Sequence, residues 1–179
     1  MTLQIKKTKL PGVLLITPPT IHEDYRGVYV ETWNEGLYAP LLPEGVRFVQ
    51  DDVSVSSRNV LRGIHGDKET WKLISCLHGR IFVVIVCHIS ASPQYRQWQG
   101  FTLSDHNHYQ ILVPPGHGVG HLVMREIAVF AYRQSTYYDQ DSQFTLDWHG
   151  VYYDARSGMI GRIPWPVERP ILSERDANA

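Results

Sequence analysis

Apolar side chains along this chain recur mainly at every second position, in short runs rich in β-branched and aromatic residues. A period of two is typical of β-strands that bury one face. We predict at least nine strands, over 13–17, 28–33, 46–55, 71–77, 80–89, 97–103, 109–113, 127–132 and 144–148. The pattern leaves only a turn or two of helix, near 34–41 and 155–159.

Turn-forming residues separate these runs at intervals too short for helical crossovers. They include Asp24-Tyr25-Arg26-Gly27, His78-Gly79 and Pro114-Pro115-Gly116. Many short, evenly spaced strands favour two sheets that pack face to face and curl toward a barrel. The sequence therefore predicts a single all-β domain over 1–179, a jelly-roll β-sandwich or barrel with a few short helices.

Two of the predicted strands show where the interior lies. The run from Ile81 to Val86 is apolar without alternation, which predicts a strand covered on both faces. In the strand before it, Lys72 shares a face with Ile74 and Cys76. Either this face lines the interior and Lys72 is a desolvated cation, or the face is turned to solvent.

Charge and composition restrict the partner. Seventeen lysines and arginines nearly balance 18 aspartates and glutamates, so no overall field favours nucleic acid or an anionic membrane. The chain shows no run long enough to span a bilayer and no signal-peptide pattern, and we expect a cytoplasmic protein with a small partner. Cys76 and Cys87 would lie on two arms of one hairpin turning at 78–79, too far apart for a disulfide, and are expected to be free.

The segment from Asn59 to Asp67 contains the first candidate for chemistry. His65 follows an apolar run, and a neutral imidazole with an ordinary pKa of about 6.5 suits proton abstraction beside a carbonyl. The alternative is a hydrogen-bonded structural histidine. Arg62 lies three residues earlier and would project from the opposite face of a regular strand, so only a bulge at Gly63 would bring both side chains into one site.

A set of short motifs recurs in order along about 150 residues of this chain. They are Asp24-Tyr25-Arg26-Gly27 with Glu31, Phe48-Val49-Gln50-Asp51, Val60-Leu61-Arg62-Gly63-Ile64-His65, Lys72-Leu73, Val113-Pro114-Pro115-Gly116, Ala131-Tyr132-Arg133, Trp165-Pro166 and Leu172-Ser173-Glu174-Arg175-Asp176. In their order and spacing these motifs resemble the nucleotide-sugar 3,5-epimerases of the dTDP-4-dehydrorhamnose type, a metal-free branch of the cupin jelly rolls. This resemblance implies a homodimer that inverts C3, C5 or both on a nucleotide-diphosphate 4-keto sugar, without cofactor or metal.

The resemblance also implies a role for individual residues. His65 falls on the general base, and Asp176 on the aspartate that orients it. Tyr132 falls on the acid that returns a proton to the opposite face, and Lys72 on the cation beside the keto oxygen, where it stabilises the enolate. The implied substrate-binding residues are Arg26 and Glu31, which reach the nucleotide from a neighbouring subunit, with Gln50, Arg62, Asp67 and His121.

Several positions depart from the usual pattern of the dTDP-rhamnose members. Asp52 replaces an asparagine, Gly66 and Asp67 replace an aromatic residue and a glutamine, and Val119 replaces a histidine. The string Arg-Gly-Ile-His-Gly-Asp with the later Gly120-His121 is more similar to epimerases of GDP-linked 4-keto-heptoses in bacterial capsule pathways. We therefore expect a GDP-linked heptose as substrate, with a dTDP-linked 4-keto-6-deoxyhexose, inverted at both carbons or at C3 alone, as the alternative.

Other classes fit less well. A metal-dependent cupin needs histidines at i and i+2, a carboxylate and a further histidine, but Asp67 stands two residues after His65. A non-catalytic sugar-binding jelly roll would not require His65, Tyr132, Lys72 and Asp176 together, although the fold alone allows it. A nucleotide-sugar 3,4-ketoisomerase is disfavoured by Tyr132 and by the long C-terminal segment.

Overall fold

A computed structural model describes residues 2–179. Its strands are β1 (Gln4–Lys7), β2 (Leu14–Thr17), β3 (Ile21–Asp24), β4 (Gly27–Val30), β5 (Gln50–Ser57), β6 (Leu61–Gly66), β7 (Lys72–His78), β8 (Arg80–Cys87), β9 (Gln97–Ser104), β10 (Gln110–Val113), β11 (His117–Val123), β12 (Ile127–Gln134), β13 (Phe144–Thr145), β14 (Val151–Asp154) and β15 (Ile160–Arg162). The helices are α1 (Glu35–Tyr38), a 3₁₀ turn (Ala39–Leu41) and α2 (Glu174–Ala177).

These strands form two curled sheets that pack face to face. One has six strands in the order β1-β2-β10-β7-β12-β5, and the other has seven in the order β13-β6-β11-β8-β9-β14-β15. The hairpin β3-β4 stands apart as a two-stranded sheet. The prediction of an all-β jelly-roll sandwich is confirmed. No helix within residues 2–179 is long and apolar enough to cross a membrane.

Several element predictions are corrected. Residues 155–157 form a turn before β15, so the helix predicted at 155–159 is wrong, whereas the one near 34–41 is confirmed. Strand β11 was not predicted because Gly118 and Gly120 interrupt its β-branched pattern. Both glycines are needed for close packing: a Cβ on either would lie within 3 Å of Ile64 side-chain carbons. Because these two glycines have no side chain, β6 and β11 can pack tightly against each other.

The hairpin predicted at 78–79 is also wrong. Strand β7 pairs with β10 and β12, whereas β8 pairs with β11 and β9, so the two consecutive strands belong to opposite sheets. Gly79, with φ of +79°, turns the chain from one sheet to the other. A Cβ there would lie 2.2 Å from the carbonyl oxygen of Ile127, which excludes larger residues from this corner.

The interior agrees with the hydrophobic patterns. Strand β8 is covered on both faces: Ile81, Val83 and Ile85 pack between the sheets, and Val84 and Val86 pack under Trp98, Tyr152 and Ile163. Lys72, Ile74 and Cys76 are all buried on β7, so the interior alternative for Lys72 is confirmed. Cys76 and Cys87 are both buried free thiols, as expected.

Candidate active site

A cavity of about 440 Å³ opens between the two sheets. Its size lies in the range of small-molecule sites. Both sheets and the C-terminal helix α2 contribute to its wall, and most of the side chains are polar. The lining residues are Gln50, Asp52, Ser54, Arg62, His65, Lys72, Ile74, Val119, His121, Phe130, Tyr132, Gln134, Tyr138, Gln143, Ser173, Arg175 and Asp176.

His65 and Asp176 form a hydrogen-bonded pair on one wall. The distance from His65 Nε2 to Asp176 Oδ1 is 2.6 Å, and Asp176 is only 3% exposed. Oδ2 of Asp176 accepts the backbone N–H of Gly63 at 3.3 Å. Burial by itself would raise the pKa of Asp176, but its contacts with His65, Ser173 and Gly63 lower that pKa below the usual value. The carboxylate therefore stays ionised and directs the other nitrogen of His65, Nδ1, away from itself.

The short helix that carries Asp176 is capped at its start. Ser173 is the N-cap residue, and its Oγ accepts the N–H of Asp176 at 3.2 Å. An N-cap hydroxyl of this kind fixes the first turn of a helix. Leu61 N also donates to the carbonyl of Ile171, so the segment before α2 is tied to β6. Asp176 is thus held against His65 and does not belong to a frayed terminus.

The predicted bulge at Gly63 is confirmed. On β11, Val119 pairs with His65 and His121 pairs with Arg62, so β6 has one residue more than β11 over this interval. Gly63 has φ of +111°, and a Cβ there would lie 2.5 Å from the carbonyl oxygen of Val119. The extra residue brings Arg62 and His65 to the same side of the strand, and both line the cavity.

Tyr132 lies on the opposite wall, on β12. Burial raises the pKa of its phenol, and the nearby carboxylate of Asp52 raises it further. Asp52 is its Cα partner on β5 and is held by two amides: Gln50 Nε2 and Gln134 Nε2 each donate to Oδ2 at 2.8 Å. Tyr132 therefore remains protonated at neutral pH and retains a proton to donate.

Lys72 forms part of the same wall and is 8% exposed. The structure places Asp67 beside it and not at the cavity surface: Asp67 is 7% exposed, and its Oδ2 lies 3.7 Å from Lys72 Nζ. The expectation that Asp67 contacts the substrate is therefore not supported by its position. Its carboxylate is occupied by the turn that follows β6 and by the ammonium of Lys72.

Arg62 and His121 are neighbours near His65. Arg62 Nε donates to Ser56 Oγ at 3.0 Å, which orients the guanidinium at the cavity wall. The His121 ring stacks on Phe130 with a centroid distance of 4.1 Å, and within residues 2–179 its buried Nε2 has no hydrogen-bond partner. Burial, with the nearby charges of Arg62 and His65, lowers the pKa of His121 to about 3. His121 is a neutral group in this site.

Arg26 and Glu31 are not brought into this cavity. Arg26 lies at the tip of the β3-β4 hairpin, where its guanidinium pairs with Asp24 at 2.6 Å and its side chain is 75% exposed. Glu31 follows β4 and is half-buried. Neither lines the cavity of its own chain. The role predicted for both residues requires a neighbouring subunit.

Sequence reasoning missed several lining residues. Arg175 Nε donates to Thr145 Oγ1 at 2.9 Å, which orients its guanidinium at the cavity wall as a third cation beside Arg62 and Lys72 in the lining. The position of Arg175 directly before Asp176 was the sequence feature that could have identified it as a cavity residue. Gln134 and Tyr138 had no such signal, because glutamine and tyrosine near strand ends are common on ordinary surfaces. Only the packing of the two sheets places them here.

The cluster of side chains that a metal-dependent cupin needs to bind its ion is not formed by residues 2–179. Across the described chain, 2–179, no three histidine, cysteine, aspartate or glutamate side chains come close enough together to hold an ion. His117, the other buried histidine of β11, directs its Nδ1 to the carbonyls of Pro114 and Pro115.

A jelly roll whose cavity places a histidine–carboxylate pair opposite a half-buried tyrosine defines a class, the cupin-type sugar epimerases. A sequence model of the dTDP-4-dehydrorhamnose 3,5-epimerase family matches residues 7–179, and the chain belongs to this family. The dTDP-4-dehydrorhamnose 3,5-epimerase of Salmonella typhimurium is 36% identical over 177 residues, covering 97% of this chain and 92% of that protein.

Two further relatives are informative. The structure of dTDP-6-deoxy-D-glucose-3,5-epimerase from Legionella pneumophila, in complex with dTDP-4-keto-L-rhamnose, has a TM-score of 0.85 and 36% identity, covering 99% of this chain and 91% of that one. The dTDP-4-dehydrorhamnose 3-epimerase of Streptomyces niveus is 30% identical over 181 residues, covering 99% of this chain and 83% of that protein. The family thus includes enzymes named for inversion at two carbons and at one.

Proposed function

We propose that this protein is a cofactor-independent epimerase that inverts C3, C5 or both on a dTDP-linked 4-keto-6-deoxyhexose. The observation that supports this most directly is the placement of the His65–Asp176 pair and Tyr132 on opposite walls of one cavity, with Lys72 between the sheets beside them. A sugar ring in that cavity would present one face to a base and the other face to an acid. This is the arrangement that inversion through an enolate requires.

The base step follows from the pair geometry. With Nε2–H donated to Asp176, the free Nδ1 of His65 accepts the proton on the carbon beside the C4 ketone. The ionised carboxylate then stabilises the imidazolium that forms. As the carbon–hydrogen bond breaks, its electrons form a double bond to C4, and the keto oxygen gains negative charge. Lys72 would stabilise this oxygen as a fixed cation.

The acid step uses the opposite wall. Tyr132 donates its phenolic proton to the same carbon from the other face, and the carbonyl re-forms. Because burial and Asp52 raise the pKa of Tyr132, the phenol is protonated when the enolate appears. The phenolate then regains a proton from solvent through the open side of the cavity, and the imidazolium of His65 releases the abstracted proton to solvent. No oxidant or reductant is required, since the ketone already acidifies both neighbouring positions.

Deuterium incorporation tests the reaction and counts the carbons. The protein is incubated with a dTDP-linked 4-keto-6-deoxyhexose in deuterated water, and the sugar is analysed by mass spectrometry and NMR. Two incorporated deuterons indicate both C3 and C5, and one indicates a single site. Absence of deuterium from dTDP-linked and GDP-linked 4-keto sugars alike would contradict the proposed function and favour a non-catalytic sugar-binding protein.

A GDP-linked 4-keto-heptose is the second candidate substrate, and one observation favours it. Asp52 and Val119, two positions that depart from the pattern of the dTDP-rhamnose members, both line the cavity. The three relatives described above nevertheless carry dTDP names, so we expect dTDP to bind more tightly than GDP. Calorimetry with both nucleotides measures this difference, and a tenfold gap corresponds to about 1.4 kcal/mol. A clear preference for GDP would replace the hexose by the heptose and leave the mechanism unchanged.

We further propose that the active form is a homodimer. The β3-β4 hairpin exposes a large apolar and aromatic surface, with Tyr25 97%, Tyr29 65% and Val28 47% exposed. Large exposed apolar side chains gathered on one hairpin suit a protein interface. The hairpin also carries Arg26, whose expected contact with the nucleotide requires a second subunit. Analytical ultracentrifugation of the wild type and of Tyr29→Asp tests this, and a monomeric wild type would overturn it.

A further inference from the structure

Asp67 is almost fully buried, and both of its carboxylate oxygens are engaged. Oδ1 accepts the backbone N–H groups of Glu69 at 2.9 Å and Thr70 at 2.6 Å. Oδ2 lies 3.7 Å from Lys72 Nζ. The side chain does not line the cavity, so a bound sugar would meet Lys72 and not Asp67.

The segment that carries Asp67 is anchored on both sides. The carbonyl of Asp67 accepts the N–H of Gly116 at 2.7 Å. Thr70 Oγ1 lies 2.6 Å from Thr136 Oγ1, and Trp71 N donates to Ser135 Oγ at 2.8 Å. The turn is therefore fixed to the loop before β11 and to the residues after β12. A carboxylate on such a turn has a defined position relative to Lys72.

Apart from Asp67, the immediate surroundings of Lys72 do not favour the charged form of its amine. Its Cα partners on the adjacent strands are the uncharged Val113 and Gln134. Burial lowers the pKa of Lys72, the attraction of Asp67 opposes this, and the positive charge of Arg175 adds to the lowering. The other charged or titratable groups on the cavity wall are Asp52, Arg62, His65, His121, Tyr132, Tyr138 and Asp176.

We propose that Asp67 is a positioning residue that holds the Lys72 ammonium charged and in place at the cavity wall, and that it acts on the reaction only through Lys72. The second half of this statement rests on the proposed epimerase function, whereas the first half does not. The turn after β6 thus supplies the counter-ion that lets a buried lysine stabilise an enolate. Asp67 is one of the positions at which this chain departs from the family pattern.

The charge state of Lys72 is measured directly by NMR. The chain has five lysines, Lys6, Lys7, Lys9, Lys68 and Lys72, so protein labelled with ¹³C at lysine Cε gives a simple spectrum. Lys72→Met assigns the Lys72 signal. In Asp67→Asn the amide oxygen still accepts the two turn N–H groups, but the negative charge is lost. We expect the titration of Lys72 to move to lower pH in this variant.

The consequence for the reaction is measured as a pH profile of deuterium washout. Removing the opposite charge favours the neutral amine, so the alkaline limb of kcat/KM moves toward neutral pH. Activity on the alkaline side should fall about tenfold or more, the effect expected from one opposite charge at this separation. At pH 6, where the ammonium is retained, the loss should be smaller. Asp147→Asn, which removes a turn-forming carboxylate outside the cavity, should leave the profile unchanged.

Each result decides the proposal. An unchanged Lys72 titration in Asp67→Asn would overturn the electrostatic role, and an unchanged alkaline limb with a shifted titration would overturn the link to catalysis. A wild type that exchanges no sugar proton would overturn the proposed function, while the NMR result would still test the ion pair. If Asp67→Asn does not fold, Asp67→Ser keeps an acceptor for the turn without the charge and takes its place in both measurements.

Discussion

The two walls of the cavity hold their reactive groups in different ways. On the wall formed by β6, β11 and α2, His65 is fixed by a 2.6 Å hydrogen bond to a carboxylate more than 100 residues away in sequence. On the wall formed by β5, β7 and β12, the hydroxyl of Tyr132 makes no hydrogen bond within residues 2–179, and its position depends on strand register and on packing against Phe130. In the proposed mechanism, one wall orients the base and the other wall shields the acid.

This difference matches the demands of the two proposed proton transfers. A base must present one particular nitrogen, so a partner for the other nitrogen is required. An acid must keep its proton until the enolate forms, so burial and the negative charge of Asp52 are sufficient. If the two walls act separately, substitutions on one wall should leave the proton transfer on the other wall intact.

The largest effect is expected from His65→Ala. One base serves both carbons, so deuterium exchange at C3 and at C5 should fall together, by about 10²- to 10⁴-fold. Mass spectrometry of the sugar after incubation in deuterated water measures both positions. His149→Ala, at an exposed histidine stacked on Trp148, is the matched control. Exchange that stays within about tenfold of wild type at either carbon would remove His65 from the mechanism.

Tyr132→Phe should separate the two walls. Washout of substrate protons requires only abstraction and return on the His65 side, whereas net inversion requires a proton from the other face. We expect net epimerisation to fall by about 10²-fold or more and washout to fall much less. Both rates come from one NMR time course. Equal losses in the two rates would show that Tyr132 supports binding or folding and is not the acid.

Asp176→Asn should lower the stability of the protein, because it removes the buried carboxylate that holds His65 on its wall. Because the folded pKa of Asp176 is lowered, its contribution to stability is present above the unfolded pKa of about 3.9 and is lost as pH falls through the folded pKa. At pH 7 we expect a loss of about 1.5–3 kcal/mol, or roughly 3–12 °C in Tm. Thermal melts from pH 7 to pH 3 should show this difference shrinking on acidification.

Glu174→Gln is the control for that experiment, since Glu174 is exposed on the same helix. A constant difference in Tm between wild type and Asp176→Asn across the pH range would contradict an ionised, paired Asp176.

The smallest effect is expected from Asp52→Asn. The amide keeps an acceptor for Gln50 and Gln134 but removes a charge that raises the pKa of Tyr132. The pKa of Tyr132 should fall, so the alkaline limb of net epimerisation should move to lower pH while that of washout stays in place. At pH 7 the loss should be less than about tenfold. Asp51→Asn, on the outer face beside Arg133, is the matched control, and identical profiles for the two variants would contradict this role.

Local sequence patterns were sufficient to predict the all-β jelly-roll class, the doubly buried β8 and, through the motifs, the family. These features depend on periodicity and on residue identity, which are visible without knowledge of what lies opposite. The bulge at Gly63 could also be predicted from the sequence alone. Arg62 and His65 stand an odd number of residues apart and can share one site only if the strand is irregular between them.

Strand pairing and the meeting of charges depend instead on the tertiary fold. Strands β7 and β8 follow one another but join opposite sheets, since pairing depends on partners far away in sequence. The face of β7 that carries Lys72 turned inward, although its pattern alone allowed either orientation. Asp67 turns away from the cavity because two backbone N–H groups and a buried ammonium bind its oxygens. Asp176 is buried because a capped helical turn holds it against β6. Each of these outcomes is set by long-range packing and desolvation, which no local pattern of residues records.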